Sequence, residues 1–301
     1  MNKKILYTLS IAVILITALS FILPKNEEKY LGDRFWAKKT FAPAIFDAVI
    51  IGDSRTYRGV SPSIMTEYLP EKKILNFAYS NGGLNNFVFA EAEKKLSTNN
   101  NKKFIIIGIT ANTLSGFTRN NEQLILEKSR PREDVLERIY FNGILYHFSS
   151  VTPEQVVDLL KNKPVPNYYR NRYYPDGYVE SDKFPKDTME AIPSYYDDFT
   201  KYKVDHLYIE ELIGQVRKWN EKGIMVVGYC PPVSYPMKEL EKTMGLFDYE
   251  FIKSEFIKNG GKWIDLNSNE YKTYDGSHLE RESAEKLSKV IADYIKKTSD
   301  L

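Results

Sequence analysis

Near its C-terminus the chain reads Tyr274-Asp275-Gly276-Ser277-His278-Leu279, and near its N-terminus an apolar run, Ala48-Val49-Ile50-Ile51, stops at Gly52-Asp53-Ser54. The two segments supply a serine, a histidine and an aspartate. A serine hydroxyl is a poor nucleophile until an imidazole removes its proton, and the imidazole needs a carboxylate to fix its tautomer and stabilise its cation. Asp275 and His278 are close enough in sequence for one turn to hold them side by side. Histidine is scarce: of His147, His206 and His278, only the last has a carboxylate at that offset. Taken alone, Asp275-Gly276-Ser277-His278 also reads as a polar turn leading into the helix that follows. Its pairing with a Gly-Asp-Ser turn after a buried strand is what favours chemistry.

This pair of motifs resembles the GDSL/SGNH hydrolase superfamily, whose nucleophile lies in Gly-Asp-Ser after the first strand and whose acid and base form a C-terminal Asp-x-x-His. The resemblance implies Ser54 as nucleophile, His278 as general base and Asp275 as its orienting carboxylate. It covers the layout from about Phe46 to about Ile295, with motif-specific residues at the two ends. Family members place an oxyanion-binding glycine after the second strand. Here Ile74-Leu75-Asn76-Phe77-Ala78-Tyr79-Ser80-Asn81-Gly82-Gly83 offers Gly82, with Asn81 as the alternative register. Their third strand usually ends in Gly-x-Asn-Asp, whereas this chain has Gly108-Ile109-Thr110-Ala111-Asn112, so Thr110 stands in the expected place and Asn112 two residues later. The implied oxyanion hole is therefore Ser54, Gly82 and Asn112. Asn112 is equally readable as a loop residue making a local turn bond. The set matters because one lost donor can lower the rate roughly a hundred- to a thousandfold.

The elements that must position these residues alternate along the chain. Short apolar or β-branched runs predict strands at Ala48–Ile51, Ile74–Phe77, Phe104–Ile107, Ile224–Val227 and Trp263–Leu266. Helical patterns lie between and after them, at Asn85–Leu96, Leu207–Asn220 and Ser283–Ile295, the last with Leu287, Val290, Ile291 and Ile295 at helical spacing. Such alternation predicts a three-layer α/β/α sandwich with a mostly parallel five-stranded sheet, the SGNH/flavodoxin-like arrangement. Sites in such sheets form beyond the carboxyl ends of the strands, where Ser54, Gly82 and Asn112 would emerge.

Composition excludes some classes. The 301 residues are 43% apolar, ample for one core, and 42 basic against 40 acidic side chains leave a formal charge of +2. No basic stripe suits a phosphate backbone, so nucleic-acid binding has no support. The single Cys230 excludes an intramolecular disulfide and a cysteine-rich metal site. In Tyr229-Cys230-Pro231-Pro232 it follows a buried run and reads as a small core hydrophobe. His147 and His206 have no ligand partner at a recognisable spacing, so neither a metal nor a cofactor is assigned. Asp53 reads as a turn stabiliser. Arg55 and Arg58 read either as contacts for an anionic substrate group or as surface cover for the segment after Ser54.

Two further regions bear on function. After Asn2-Lys3-Lys4, residues Ile5 to Leu23 form an uncharged, mostly apolar stretch followed by Pro24-Lys25-Asn26-Glu27-Glu28. It predicts an N-terminal membrane anchor over residues 1–24, with the domain of residues 25–301 on the outer side. A signal peptide cleaved near Ala18-Leu19-Ser20 is the competing reading. Between about residues 113 and 204 the alternation breaks down. Thr152-Pro153-Glu154-Gln155 reads as a helix start, and Asn162-Lys163-Pro164-Val165-Pro166-Asn167 as its stop. Then Tyr168, Tyr169, Tyr173, Tyr174, Tyr178, Tyr195, Tyr196 and Tyr202 cluster with Arg170, Arg172, Pro175 and Pro193. The prolines argue against a regular sheet or long helix there. The segment reads either as an insertion over the active end, offering flat tyrosine faces to sugar rings, or as a loop packing its own aromatics. In layout the chain is similar to membrane-tethered members that modify cell-wall polymers, including polysaccharide O-acetyltransferases and the D-alanyl transfer protein of teichoic acid synthesis. That similarity implies an extracytoplasmic esterase or O-acyltransferase acting on an envelope polysaccharide or polymer, with a multi-pass membrane acyltransferase as possible partner. The alternative is a catalytically weak binding or assembly subunit of the same fold.

Overall fold

The structure, a computed structural model, describes residues 3–22, 27–99, 102–145, 157 and 168–299. The chain forms two compact units, residues 1–38 with 130–166 and residues 39–129 with 167–301. The second contains every described strand: β1 (Ala48–Ile51), β2 (Ile74–Asn76), β3 (Phe104–Gly108), β4 (Tyr168–Tyr173), β5 (Val179–Phe184), β6 (Met225–Tyr229) and β7 (Lys262–Ile264).

Five of them build one parallel sheet in the order β2-β1-β3-β6-β7. Strands β1, β2 and β3 are buried at every position, with no polar alternation, because helices cover both faces. Alternate residues point to opposite layers. Ala48, Ile50, Phe104, Ile106, Val227 and Ile264 share a core with Val60, Met65, Leu287, Ile291 and Ile295, which belong to the segment after Ser54 and to the C-terminal helix Arg281–Thr298. On the other layer the helices Asn86–Glu93 and His206–Glu221 pack together through the edge-to-face pair Phe89 and Trp219, 5.4 Å apart. The result is the expected three-layer α/β/α sandwich with a parallel five-stranded sheet. Strand ends shift by a few residues: β6 runs on to Tyr229, and β7 stops at Ile264, short of Leu266.

The tyrosine-rich segment departs from expectation. Strands β4 and β5 form an antiparallel ribbon, registered from Tyr168 opposite Phe184 to Tyr173 opposite Val179. Pro175 falls in the connecting turn and Pro185 just beyond β5, so neither removes a ladder donor. Pro193 likewise sits in the first turn of a ten-residue helix, Ile192–Lys201, where its missing N–H has no intrahelical partner to lose. The expected helix start at Thr152-Pro153, the stop at 162–167 and His147 lie outside the described residues.

In the first unit a 20-residue helix spans Lys3–Ile22. The side chains of Leu19, Phe21 and Ile22 lie outside the described set. Over the described residues alone, no helix is long and apolar enough to cross a membrane. The same unit holds the helices Arg132–Leu136 and Asn142–Leu145. Asn142 Nδ2 donates to Tyr30 O at 3.1 Å, and Arg138 Nε donates to Asp134 at 3.0 Å.

Candidate active site

At the end of β1 the chain must turn sharply, and Gly52 adopts φ +149° to do so. A Cβ there would lie 2.3 Å from Thr56 Oγ1 and 2.9 Å from Gly108 O, so only glycine fits. Asp53 then caps the helix Ser54–Gly59. Its Oδ1 accepts from Arg55 N at 3.0 Å, and its Oδ2 accepts from Thr110 Oγ1 at 2.8 Å. Asp53 is thus the turn stabiliser expected of it, and it leaves Ser54 at the first helical position, partly exposed.

The second turn is built by Asp275. Its Oδ1 accepts the backbone N–H groups of Ser277 (2.8 Å) and His278 (2.7 Å), while Oδ2 meets His278 Nδ1 at 2.7 Å. The backbone is pinned from outside by Ala191 N on Asp275 O (3.0 Å) and Ser234 N on Gly276 O (3.0 Å). His278 Nε2 lies 2.9 Å from Ser54 Oγ. A carboxylate only accepts, so the Nδ1 proton faces Asp275 and the Nε2 lone pair faces the serine hydroxyl. The ring is backed by Tyr274, stacked at 5.7 Å and 13°. The structure therefore brings Ser54, His278 and Asp275 together in the order the sequence suggested.

Electrostatics fit the same arrangement. Burial would raise the Asp275 carboxyl, but the hydrogen bonds from His278 and the proximity of that ring outweigh it and bring it down to about 2. Burial pushes the His278 imidazole below its ordinary value; Asp275 opposes this, while Arg58 and then Arg55 add to it. The ring is neutral at neutral pH, which is the form able to take a proton.

The oxyanion residues are placed less simply. Gly82 approaches the nucleophile turn so closely that a Cβ would stand 2.4 Å from Gly52 O. Its N–H, however, donates to Tyr79 O at 3.1 Å, closing a turn in which Asn81 takes φ +48°. The Gly82 N–H is thus engaged within the loop, while Asn81, the alternative register, is exposed. Thr110 is also engaged, since its single hydroxyl proton goes to Asp53 while its oxygen accepts from Thr113 N at 3.1 Å. Asn112 opens a short 3-10 turn and is buried, with its side-chain Oδ1 unpartnered.

Arg55 and Arg58 correct the reading of them as surface cover. Arg55 is 2% exposed, with Nε on Ser277 Oγ (2.9 Å), one terminal nitrogen on Glu241 Oε1 (2.5 Å) and its plane 4.8 Å from the Tyr195 ring centre. Arg58 donates to Tyr274 Oη at 3.1 Å and to Ser181 Oγ of β5 at 2.7 Å. Sequence reasoning missed Glu241 and the roles of Ser277, of Tyr195 beside Arg55 and of Tyr274 against the imidazole. Glu241 carried no signal at all, being an acidic residue on a polar-looking helix, Tyr235–Thr243. Ser277 was visible only as part of the Asp-Gly-Ser-His turn. His206 packs edge-on against Phe251 at 5.8 Å.

A cavity of about 680 Å³ opens beyond the ends of β6 and β7, lined in part by Cys230, Val233, Lys238, Glu241, Phe247 and Asp265. Neither Ser54 nor His278 lines it; Glu241 is the residue it shares with the surroundings of the triad. Burial pushes the Cys230 thiol up, with Glu241 adding to the effect.

No family model matches the chain, and no curated protein matches it. Among solved structures it resembles a Streptococcus pneumonia protein provisionally described as a platelet activating factor. That likeness has 16% identity, 95% of this chain and 99% of that one covered, and a TM-score of 0.35. So slight a likeness bears on neither the fold nor the chemistry.

Proposed function

We propose that the chain is a serine esterase or O-acyltransferase of the GDSL/SGNH type, acting outside the cytoplasm on acyl esters of an envelope polysaccharide or polymer. The observation that carries the reading is the unbroken pair of contacts from Ser54 Oγ to His278 Nε2 at 2.9 Å and from His278 Nδ1 to Asp275 Oδ2 at 2.7 Å. In the proposed reaction Ser54 Oγ attacks the ester carbonyl as His278 takes its proton, and the Asp275 carboxylate stabilises the imidazolium. His278 returns the proton to the departing alcohol, leaving an acyl group on Ser54. Water then gives hydrolysis, and a sugar or polyol hydroxyl gives transfer; in either case His278 takes the acceptor's proton and Ser54 recovers it. The Ser54 N–H, at the start of its helix, and the Asn112 amide are the proposed oxyanion donors, joined by Asn81.

Export is part of the proposal. The helix Lys3–Ile22 would be about 30 Å long at ~1.5 Å per residue, near the hydrocarbon thickness of a bilayer. Ile5, Leu9, Val13 and Ile16 along it are all exposed. A retained anchor would keep the enzyme beside a multi-pass membrane acyltransferase that supplies acyl groups.

The direct test is turnover of a chromogenic acetyl ester by the purified chain beside Ser54→Ala and His278→Ala. The expected result is turnover by the wild type and a loss of at least roughly a thousandfold in each variant. Equal turnover by all three would sink the reading. One observation favours a second reading: the N–H of Gly82 and the hydroxyl of Thr110 are both engaged within the protein, which thins the oxyanion hole. Retention on purified wall glycan without ester turnover would support a binding or assembly subunit instead.

A further inference from the structure

We propose that Arg55, clamped by Glu241, is a positioning residue that locks the Asp275–His278 turn onto the nucleophile turn; its effect on turnover rests on the esterase or acyltransferase reading. Arg55 follows the nucleophile and Ser277 precedes the base, 222 positions away, yet Arg55 Nε donates directly to Ser277 Oγ at 2.9 Å. The same hydroxyl donates to Tyr195 Oη at 2.9 Å, and the Ser277 N–H donates to Asp275 Oδ1 at 2.8 Å. The carboxylate that aims His278 is thus registered against the residue next to Ser54.

The guanidinium is itself held from several sides. A terminal nitrogen meets Glu241 at 2.5 Å, its face lies 4.8 Å from the Tyr195 ring, and its own backbone N–H is fixed on Asp53. Only arginine offers Nε and a terminal nitrogen in one rigid plane to two different acceptors. A buried ion pair of this kind is a poor source of stability, because desolvating both charges offsets most of their attraction. Its value here lies in geometry: a displacement of about 1 Å at a reacting group can lower a rate roughly a hundredfold.

The charge acts as well. The groups that face His278 are Asp275 and Tyr274 from its own segment, and Ser54, Arg55 and Arg58 from the nucleophile helix. Both arginines favour the neutral ring. Arg55 stays cationic despite its burial because Glu241, Tyr195 and Asp53 surround it.

The test uses the full chain and the variants Arg55→Met, Arg55→Lys and Ser277→Ala. It reads kcat and KM on the chromogenic ester, thermal melting, and the titration of His278 by NMR, with the resonance assigned from its loss in His278→Ala. In Arg55→Met the expected kcat falls about a hundredfold with KM little changed, and the His278 midpoint rises. Arg55→Lys restores the midpoint but not kcat, since it returns the charge without the fork. Ser277→Ala lowers kcat severalfold with the midpoint unmoved, and it carries the test if Arg55→Met does not fold. A merely structural Arg55 would lower the melting temperature while kcat per folded molecule and the midpoint stayed at wild-type values, which overturns the proposal. A wild type without ester turnover whose His278 midpoint still rises in Arg55→Met sinks the esterase reading and leaves the clamp. Normal turnover that neither Arg55→Met nor Ser277→Ala disturbs sinks the clamp alone.

Discussion

At Asp275 one carboxylate does two jobs: one oxygen closes the turn through the N–H groups of Ser277 and His278, and the other holds the imidazole. The acid that orients the ring is therefore also the local cause of the backbone that carries it. Burial and the two arginines depress the His278 pKa against the pull of Asp275. A base whose folded pKa lies below its ordinary value of 6.5 stays neutral as pH falls through 6.5 and loses activity only at more acid pH. The lower limb of a plot of kcat/KM against pH is accordingly expected below about pH 6.5; a limb above 7 would contradict this environment. Asp275 and His278 were legible in the sequence because short spacing fixes what a single turn can bring together, whereas Ser54, 224 positions from His278, was legible only through the resemblance carried by its Gly-Asp-Ser turn. The choice between Gly82 and Asn81 was not, since it depends on which N–H the Tyr79 carbonyl takes. Arg55 read either as a contact for an anionic group or as surface cover, because its carboxylate partner, Glu241, is 186 positions away.

The two secondary elements that present the triad are short, and their precision comes from what they abut. The Ser54–Gly59 helix is six residues long, yet Gly52 sets its entry and Arg58 ties its far end to Ser181 of β5 and to Tyr274 over the His278 ring. Gly52→Ala would place a methyl against Gly108 O in a backbone region that L residues avoid. The expected loss is about 1–3 kcal/mol of stability, seen as a lower melting temperature in the alanine variant; an unchanged melt would refute this account of the turn. The sheet and its covering helices were legible from their apolar runs, because strands buried on both faces lack polar interruptions. The β4–β5 ribbon was not. Its strands are mostly polar and tyrosine-rich, with exposed positions on both, and its prolines sit at the turn and beyond the end, where they do not oppose pairing.

For the molecule as a whole, the proposed anchor makes a simple physical demand. Full-length chain is expected to sediment with membranes and to resist extraction by high salt, whereas removal of residues 1–24 should release it. Recovery of the intact full-length chain wholly in a soluble fraction would rule the anchor out. The sheet is also strongly non-local in sequence, with β1 next to its edge, between β2 and β3, while the helix that closes one layer is Arg281–Thr298. Ser54 and His278 are separated by 224 positions. On the proposed reading, a product of synthesis that ends between residues 54 and 278 carries the nucleophile without the base that deprotonates it. The hydroxyl of such a product stays inert until the Asp275–His278 segment packs beside it, so on that reading docking of this segment is also what arms the serine.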